Sequence, residues 1–165
     1  MPERMTLIEK TVFLKSLEML ASVPTEALAQ LALHAEEIHA DRSEVVFREG
    51  EVDRGAFIVV EGAIELRKDN TVVRVLEPGS AHGEFFLEEG GTHQFTGVAS
   101  EETWLLNVRH EDVIQVVLDV PEFGLAMLHV HARQLNLSIQ RVLELENRVQ
   151  SLTASLERAG VGRKA

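Results

Sequence analysis

Residues 45–66 read VVFREGEVDRGAFIVVEGAIEL. The apolar residues form short runs, or alternate with charged residues near the end of the segment, and this pattern is typical of β-strands. Gly50 and Gly62 interrupt the runs at places where the chain is expected to turn. The segment therefore predicts short strands joined by tight turns.

The same pattern continues over residues 37–108, which make up the middle of the chain. Asp69-Asn70 is a hairpin signal, and Pro78-Gly79 marks another turn. Many short strands punctuated by glycines are typical of a β-sandwich or a small barrel-like roll. We therefore predict a mainly β fold for this region.

Helical spacing of apolar residues flanks the β region on both sides. Residues 5–36 fit two short amphipathic helices. A long helix is predicted over residues 122–158, with Pro121 in its first turn. The predicted organisation is a β-roll domain with N-terminal helices over residues 5–120, followed by a helical segment over residues 121–159.

The apolar stripe of the long helix narrows partway along its length. After Glu144 the apolar residues follow the 4-3-4 spacing of a coiled-coil seam. A helix packed only on its own domain does not explain so narrow a seam, so the spacing predicts a homodimer. The predicted interface comprises Leu128, Leu135, Val142, Leu145, Val149, Leu152 and Leu156.

Composition and charge argue against several classes of protein. The chain has 165 residues and no cysteine, which excludes disulfides and thiolate metal sites. Sixteen Lys and Arg against 27 Asp and Glu give a net charge of −11, which repels nucleic-acid phosphates. The first residues lack a signal-peptide pattern, and the apolar runs are too short to span a membrane. We expect a cytoplasmic protein that binds neither nucleic acid nor membranes.

Four sequence motifs occur in order along the chain. They are IEK with FLK in residues 8–15, FREGE with IVVEG in residues 47–62, LEPGSAHGE in residues 76–84, and LLNVRHEDV in residues 105–113. Together they resemble the cyclic-nucleotide-binding domain family of catabolite activators and protein kinase regulatory subunits. The resemblance covers residues 5–145. It implies an eight-stranded double-stranded β-helix, a jelly-roll-like β-roll, with N-terminal helices and a long C-terminal dimerisation helix.

The resemblance assigns the ligand site to a phosphate-binding cassette that begins at Gly83 and Glu84. In the family, this glutamate accepts the ribose hydroxyl, and backbone N–H groups at a helix start meet the cyclic phosphate. Phe86 stands where the family has a small residue, and the family's clamping arginine falls at His93. The cassette implied by the resemblance comprises Gly83, Glu84, Phe85, Phe86, His93 and Gln94.

These departures lower the affinity that we expect for a cyclic nucleotide. No Lys or Arg occurs between Arg74 and Arg109. Losing a bidentate hydrogen bond from arginine to the cyclic phosphate should cost roughly 3–5 kcal/mol of binding free energy, which lowers the affinity by a factor on the order of 10²–10⁴. We therefore predict a regulatory or interaction module with a degenerate cassette. We expect no enzyme activity, no cofactor and no bound metal, and a protein partner that the sequence does not identify is possible.

Two other functions stay open. Gly83 and Glu84 would also suit a genuine sensor of cyclic AMP, cyclic GMP or another small acid. Alternatively, His82, Glu84 and His93 would converge on a metal in a cupin-like metal-dependent enzyme, although the paired histidines of that pattern are missing. Only residues 161–165 follow the long helix, so we expect no helix-turn-helix domain.

Overall fold

The computed structural model describes residues 4–52, 55–83 and 91–161. The chain divides into two compact units, Met1–Gly124 and Leu125–Ala165. All strands of the described residues belong to the first unit, and the second unit is helical. The sequence pattern predicts a boundary after residue 120. In the structure, the first unit continues into the next helix and includes Phe123, which is fully buried.

Two helices precede the strands, as their apolar spacing predicted. Helix α1 is Leu7–Ser16 and helix α2 is Thr25–His34, with a 3-10 turn at Glu18–Leu20 between them. Thr6 and Glu9 form a capping box: the Thr6 hydroxyl accepts from the Glu9 amide at 3.3 Å, and the Glu9 carboxylate accepts from the Thr6 amide at 2.7 Å. The backbone hydrogen bond from Thr6, together with that from its hydroxyl, lowers the pKa of the Glu9 carboxyl.

Eight strands of the described residues form two four-stranded antiparallel sheets. The strands are β1 (Glu36–Ala40), β2 (Val45–Phe47), β3 (Gly55–Glu61), β4 (Ile64–Lys68), β5 (Thr71–Leu76), β6 (Ala81–His82), β7 (Thr96–Ala99) and β8 (Thr103–Arg109). One sheet has the order β1-β8-β3-β6 and the other has the order β2-β7-β4-β5. This confirms the predicted eight-stranded β-roll.

Two of the predicted turns have the backbone geometry that their residues favour. Asp69 and Asn70, between β4 and β5, have positive φ angles of 48° and 62°, as a tight type I′ hairpin turn requires. Gly79 follows Pro78 before β6 and has a φ of 83°. Proline first and glycine second suit a turn of type II, in which the second central residue has positive φ.

The interior of the roll is filled by apolar side chains from both sheets. Alternation along the strands sends every second side chain inward, which explains the period of two in the sequence. Phe57 and Phe95 are partly buried and pack against this core. The buried members of the core are Ala40, Phe47, Val59, Ile64, Leu66, Leu76, Ala99 and Leu105.

Two more helices follow the strands. Helix α3 is His110–Asp119 and helix α4 is Pro121–Val161. The seven side chains predicted to form the dimer seam are all exposed in the single chain, from 50% for Leu145 to 73% for Leu156. In the portion of the chain that the structure describes, no helix combines the length and the apolar character needed to cross a membrane.

Candidate ligand-binding site

The predicted cassette region lies where β6 ends and the chain returns towards β7. Strand β6 pairs with β3, which places His82 opposite Phe57. The returning segment is held by two backbone hydrogen bonds of 2.9 Å: the His93 N–H donates to the Glu51 carbonyl, and the Gly50 N–H donates to the His93 carbonyl. These bonds fix His93 against the turn that follows β2.

Two glycines allow three backbone segments to approach each other closely. Gly83 has a φ of 105°, and a Cβ atom there would collide with the carbonyl oxygen of Gly55. A Cβ atom at Gly55 would in turn collide with the carbonyl oxygen of Val108 on β8. Because glycine has no side chain, the chain leaving β6 can lie directly against β3 at these two positions.

Five rings pack together inside this end of the roll, and we call them the ring cluster. The His93 imidazole stacks on Phe47 with 4.4 Å between ring centroids, and His82 stacks on the same phenyl at 5.1 Å. Phe57 lies 6.1 Å from His93, and Phe95 lies 6.3 Å from His82. His93 is only 6% exposed, so its imidazole belongs to the interior of the roll.

A cavity of about 310 Å³ lies beside the ring cluster. Its described lining residues are Gly55, Ala81, His82, Gly83, Gly91, Thr92, His93, Gln94, Phe95 and His110. None of these residues is a Lys, Arg, Asp or Glu. Among the described residues, a ligand here would therefore meet aromatic faces, glycine backbone and neutral hydrogen-bonding groups, with three histidines as the sole titratable side chains.

Two cationic side chains on the strands near the cavity form ion pairs with carboxylates. Arg109 precedes His110 and donates to Asp112 at 3.0 Å, and this hydrogen bond is the main reason that the pKa of Arg109 is raised. Lys68 lies 3.3 Å from a carboxylate oxygen of Glu49. Neither cation is among the described residues that line the cavity.

With this geometry in view, comparison with known proteins establishes the family. The model of the family described as Cyclic nucleotide-binding domain matches residues 37–119, which is half of the chain. The chain belongs to this family. It is a cyclic nucleotide-binding domain, and domains of this family are regulatory in kind.

Relatives of this cyclic nucleotide-binding domain occur in proteins of different architecture. The voltage-gated delayed rectifier potassium channel KCNH1 of Homo sapiens is 30% identical over 112 residues, which are 67% of this chain and 11% of the channel. The Cyclic AMP receptor protein of Thermus thermophilus is 26% identical over 127 residues, which are 71% of this chain and 59% of that protein. The chain thus spans a small part of the channel and less than two thirds of the receptor protein.

A solved structure supports the same conclusion. The N-terminal domain of a transcriptional regulator from Streptomyces coelicolor A3(2) superposes with a TM-score of 0.70 at 27% sequence identity. The match covers 79% of this chain and 94% of that chain. The likeness therefore extends over most of this chain and nearly all of that domain.

The structure brings together the described members of the predicted cassette. Gly83, His93 and Gln94 all line the cavity. His93 has a buried side chain, whereas Gln94 is exposed. The remaining members of the predicted set lie outside the described residues: they are Glu84, Phe85 and Phe86.

The metal-site hypothesis requires His82, Glu84 and His93 to lie together, and the structure describes two of these three residues. The rings of His82 and His93 have centroids 6.3 Å apart. Glu84 lies outside the residues that the structure describes. Within the described ranges, no group of three or more His, Cys, Asp or Glu side chains is placed to hold a metal ion.

Sequence reasoning did not identify several residues at the cavity. Gly55 precedes an apolar run, which is a weak signal for a close backbone approach, but the approach depends on how β3 registers with β8. His110 starts α3 and belongs to the LLNVRHEDV motif, which carries no signal for a cavity. Phe95 belongs to none of the four motifs. The sequence alone does not show that these positions converge.

Proposed function

We propose that this cyclic nucleotide-binding domain is a regulatory or interaction module that has lost tight cyclic-nucleotide binding and that works as a homodimer through α4. The position of His93 carries the first part of the proposal. The family resemblance puts the clamping arginine at this residue. Here the side chain is a buried imidazole stacked on Phe47, at 4.4 Å between centroids.

Charge at the cavity supports the loss of nucleotide binding. A guanidinium is permanently charged and donates two parallel hydrogen bonds to a phosphate, whereas an imidazole is charged only when it is protonated. No described lining residue supplies another permanent cation. Burying a phosphate without such a partner leaves its dehydration uncompensated. Loss of the arginine contact alone accounts for roughly 10²–10⁴ in affinity.

The exposed seam of α4 supports the homodimer. Seven apolar side chains at heptad spacing are each at least half exposed in the single chain. A second copy of the same helix would cover them by knobs-into-holes packing. The net charge of −11 disfavours a nucleic-acid partner, because Lys and Arg contacts to phosphates supply most non-specific affinity. We therefore propose that α4 binds a second copy of this chain, and that the regulatory partner of the dimer is another protein.

Calorimetric titration with cyclic AMP and cyclic GMP at pH 7.5 tests the lost binding. We expect no saturable heat, or dissociation constants in the millimolar range. His93→Arg alone should change little. His93→Arg combined with Phe86→Ala should recover part of the binding, since the sequence departs from the family at both positions. Gln150→Arg, on α4, adds the same charge at a residue that is not among the described lining residues of the cavity, and it serves as the control. Micromolar binding by the unaltered protein would overturn the proposal.

A further inference from the structure

We infer that the outer edge of β5 binds an extended segment of a partner protein as an added β-strand, and that this segment carries an acidic side chain opposite Arg74. The inference rests on the part of the proposed function that assigns regulation to another protein. It names the surface of this chain that such a partner contacts and the chemistry that the surface selects.

Strand β5 lies at one end of the sheet β2-β7-β4-β5 and pairs with β4 alone among the described strands. Within the described ranges, its outer edge therefore offers backbone N–H and C=O groups to an added strand. With six residues, β5 is the longest of the described strands that end a sheet. Strands β2 and β6 have three and two residues, and β1 has five residues, of which two are glutamates.

The side chains of β5 are apolar but exposed. Val72, Val73 and Val75 are 44%, 56% and 46% exposed, whereas Leu76 at the end of the strand is buried. Soluble proteins usually cover such an edge or place charged side chains on it. A strand added beside β5 would bury part of the three valines, and its backbone would complete the ladder.

Two features of β5 disfavour pairing with a second copy of the same strand. Arg74 stands opposite Leu66 and Val72 stands opposite Arg67, so Val73 is an extra residue that forms a β-bulge. Bulges on edge strands interrupt regular pairing. In two antiparallel β5 strands paired about a twofold axis near their middle, the two Arg74 side chains would lie opposite or diagonal to each other, and like charges there are destabilising. The occupant is therefore a different segment.

Arg74 selects an acidic side chain on that segment. It is exposed and forms no salt bridge with any side chain that the structure describes. The two cations of β4 are engaged: Arg67 donates to Glu65 at 2.9 Å, and Lys68 lies 3.3 Å from a carboxylate oxygen of Glu49. A carboxylate on the cross-strand neighbour of Arg74 would therefore gain a charge-assisted contact without displacing an existing partner.

The probe is an acetylated and amidated hexapeptide, Thr-Val-Glu-Val-Thr-Val, in which the glutamate is the sole charged group. One counterpart has lysine in place of the glutamate, and the other has proline in place of the second valine. Binding to the full chain is followed by its backbone amide signals in ¹H–¹⁵N NMR spectra. We expect saturable shifts for residues 71–75 with the glutamate peptide and none for β1, which ends the other sheet.

The counterparts test charge and backbone pairing separately. The lysine peptide should bind about fivefold more weakly, the change expected when repulsion replaces attraction at one exposed pair. The net charge of −11 would favour the lysine peptide at long range, so the opposite preference reports a local contact. The proline peptide should not bind, because proline cannot donate to the ladder.

A charge reversal assigns the preference to Arg74. With Arg74→Glu, the lysine peptide should bind about fivefold more tightly than the glutamate peptide. Arg42→Glu makes the same change of charge at an exposed residue of the turn between β1 and β2, and it should keep the preference for glutamate. Because the two variants have the same net charge, a difference between them comes from the position of the charge.

The outcomes separate this inference from the proposed function. Silence of the glutamate peptide, equal binding of the lysine or proline peptide, or an unreversed preference in Arg74→Glu would overturn the inference. Signals of β5 that shift with protein concentration in the absence of peptide would overturn it in favour of a second copy. None of these results touches the loss of nucleotide binding or the α4 dimer, which calorimetry and the measured mass test. Micromolar binding of cyclic AMP would overturn the lost binding and leave the peptide result as it stands.

Discussion

Gly83 and Gly50 both adopt positive φ angles, of 105° and 81°, but only Gly83 lies against another backbone. A Cβ atom on Gly83 would collide with the carbonyl oxygen of Gly55, whereas a Cβ atom on Gly50 would meet open space. The two positions therefore separate the cost of a left-handed conformation from the cost of a steric clash. Substitutions at the two glycines also show how strongly the stability of the fold depends on the contact between the Gly83 and Gly55 backbones.

Gly83→Ala should lower the free energy of unfolding by about 3 kcal/mol or more, because the conformational penalty adds to the clash. Gly50→Ala should cost only about 1–2 kcal/mol, the penalty of the backbone conformation alone. Urea unfolding followed by circular dichroism measures both. Equal losses for the two variants would show that the backbone near Gly83 relaxes to admit a methyl group.

At the scale of elements, the capping box of α1 gives a stability that depends on pH. The Glu9 carboxylate accepts from the Thr6 N–H at 2.7 Å, and this bond lowers its pKa in the folded protein. A lowered folded pKa means that the contribution is present above the unfolded pKa, about 4.3 for Glu, and is lost as the pH falls through the folded value.

Glu9→Gln should therefore be less stable than the unaltered protein at pH 7, and the difference should shrink by pH 3. Thr6→Ala removes the hydroxyl cap and should cost on the order of 1 kcal/mol at pH 7. Glu102→Gln, at an exposed residue outside the capping box, controls for the removal of one acidic charge. Urea titrations at both pH values measure the differences. A difference for Glu9→Gln that does not depend on pH would contradict this account.

Elements with a strong local signal could be predicted from the sequence. The β4–β5 hairpin follows from Asp69-Asn70, because the turn chemistry is contained in two adjacent residues. Strand β6 has only two residues, Ala81–His82, which is too short to show a period. It exists because it pairs with β3, and the sequence carries no signal for a pairing between distant segments.

Some features of the candidate site could likewise be predicted from the sequence, and others depend on how the strands pair. His93 could be found because the family motif fixes its distance from β7, and it does line the cavity. Its stacking on Phe47 could not be predicted, since Phe47 lies far away in sequence and comes close only when β2 pairs with β7. Gly55 and His110 meet at the cavity because β3 pairs with β8, and that register is a property of the folded sheet.

At the scale of the whole molecule, we expect the exposed seam of α4 to determine the oligomeric state. Helix α4 has 41 residues and carries apolar side chains at heptad spacing. This spacing is typical of a helix whose apolar face packs against another helix and is thereby removed from water. Leu145 and Leu152 occupy one core position of the heptad in its narrow part. They are 50% and 57% exposed in the single chain, so a dimer would remove both from water.

Leu145→Glu combined with Leu152→Glu should convert a dimer at micromolar concentration into a monomer. In a parallel pair, each substitution would place like charges at facing core layers, and burying them costs several kcal/mol. Gln140→Glu combined with Asn147→Glu adds the same charge on the opposite side of the helix and should leave the dimer intact. Light scattering and sedimentation equilibrium measure the mass of each protein. A monomeric unaltered protein, or a leucine variant that dimerises like the control, would show that the seam serves another purpose.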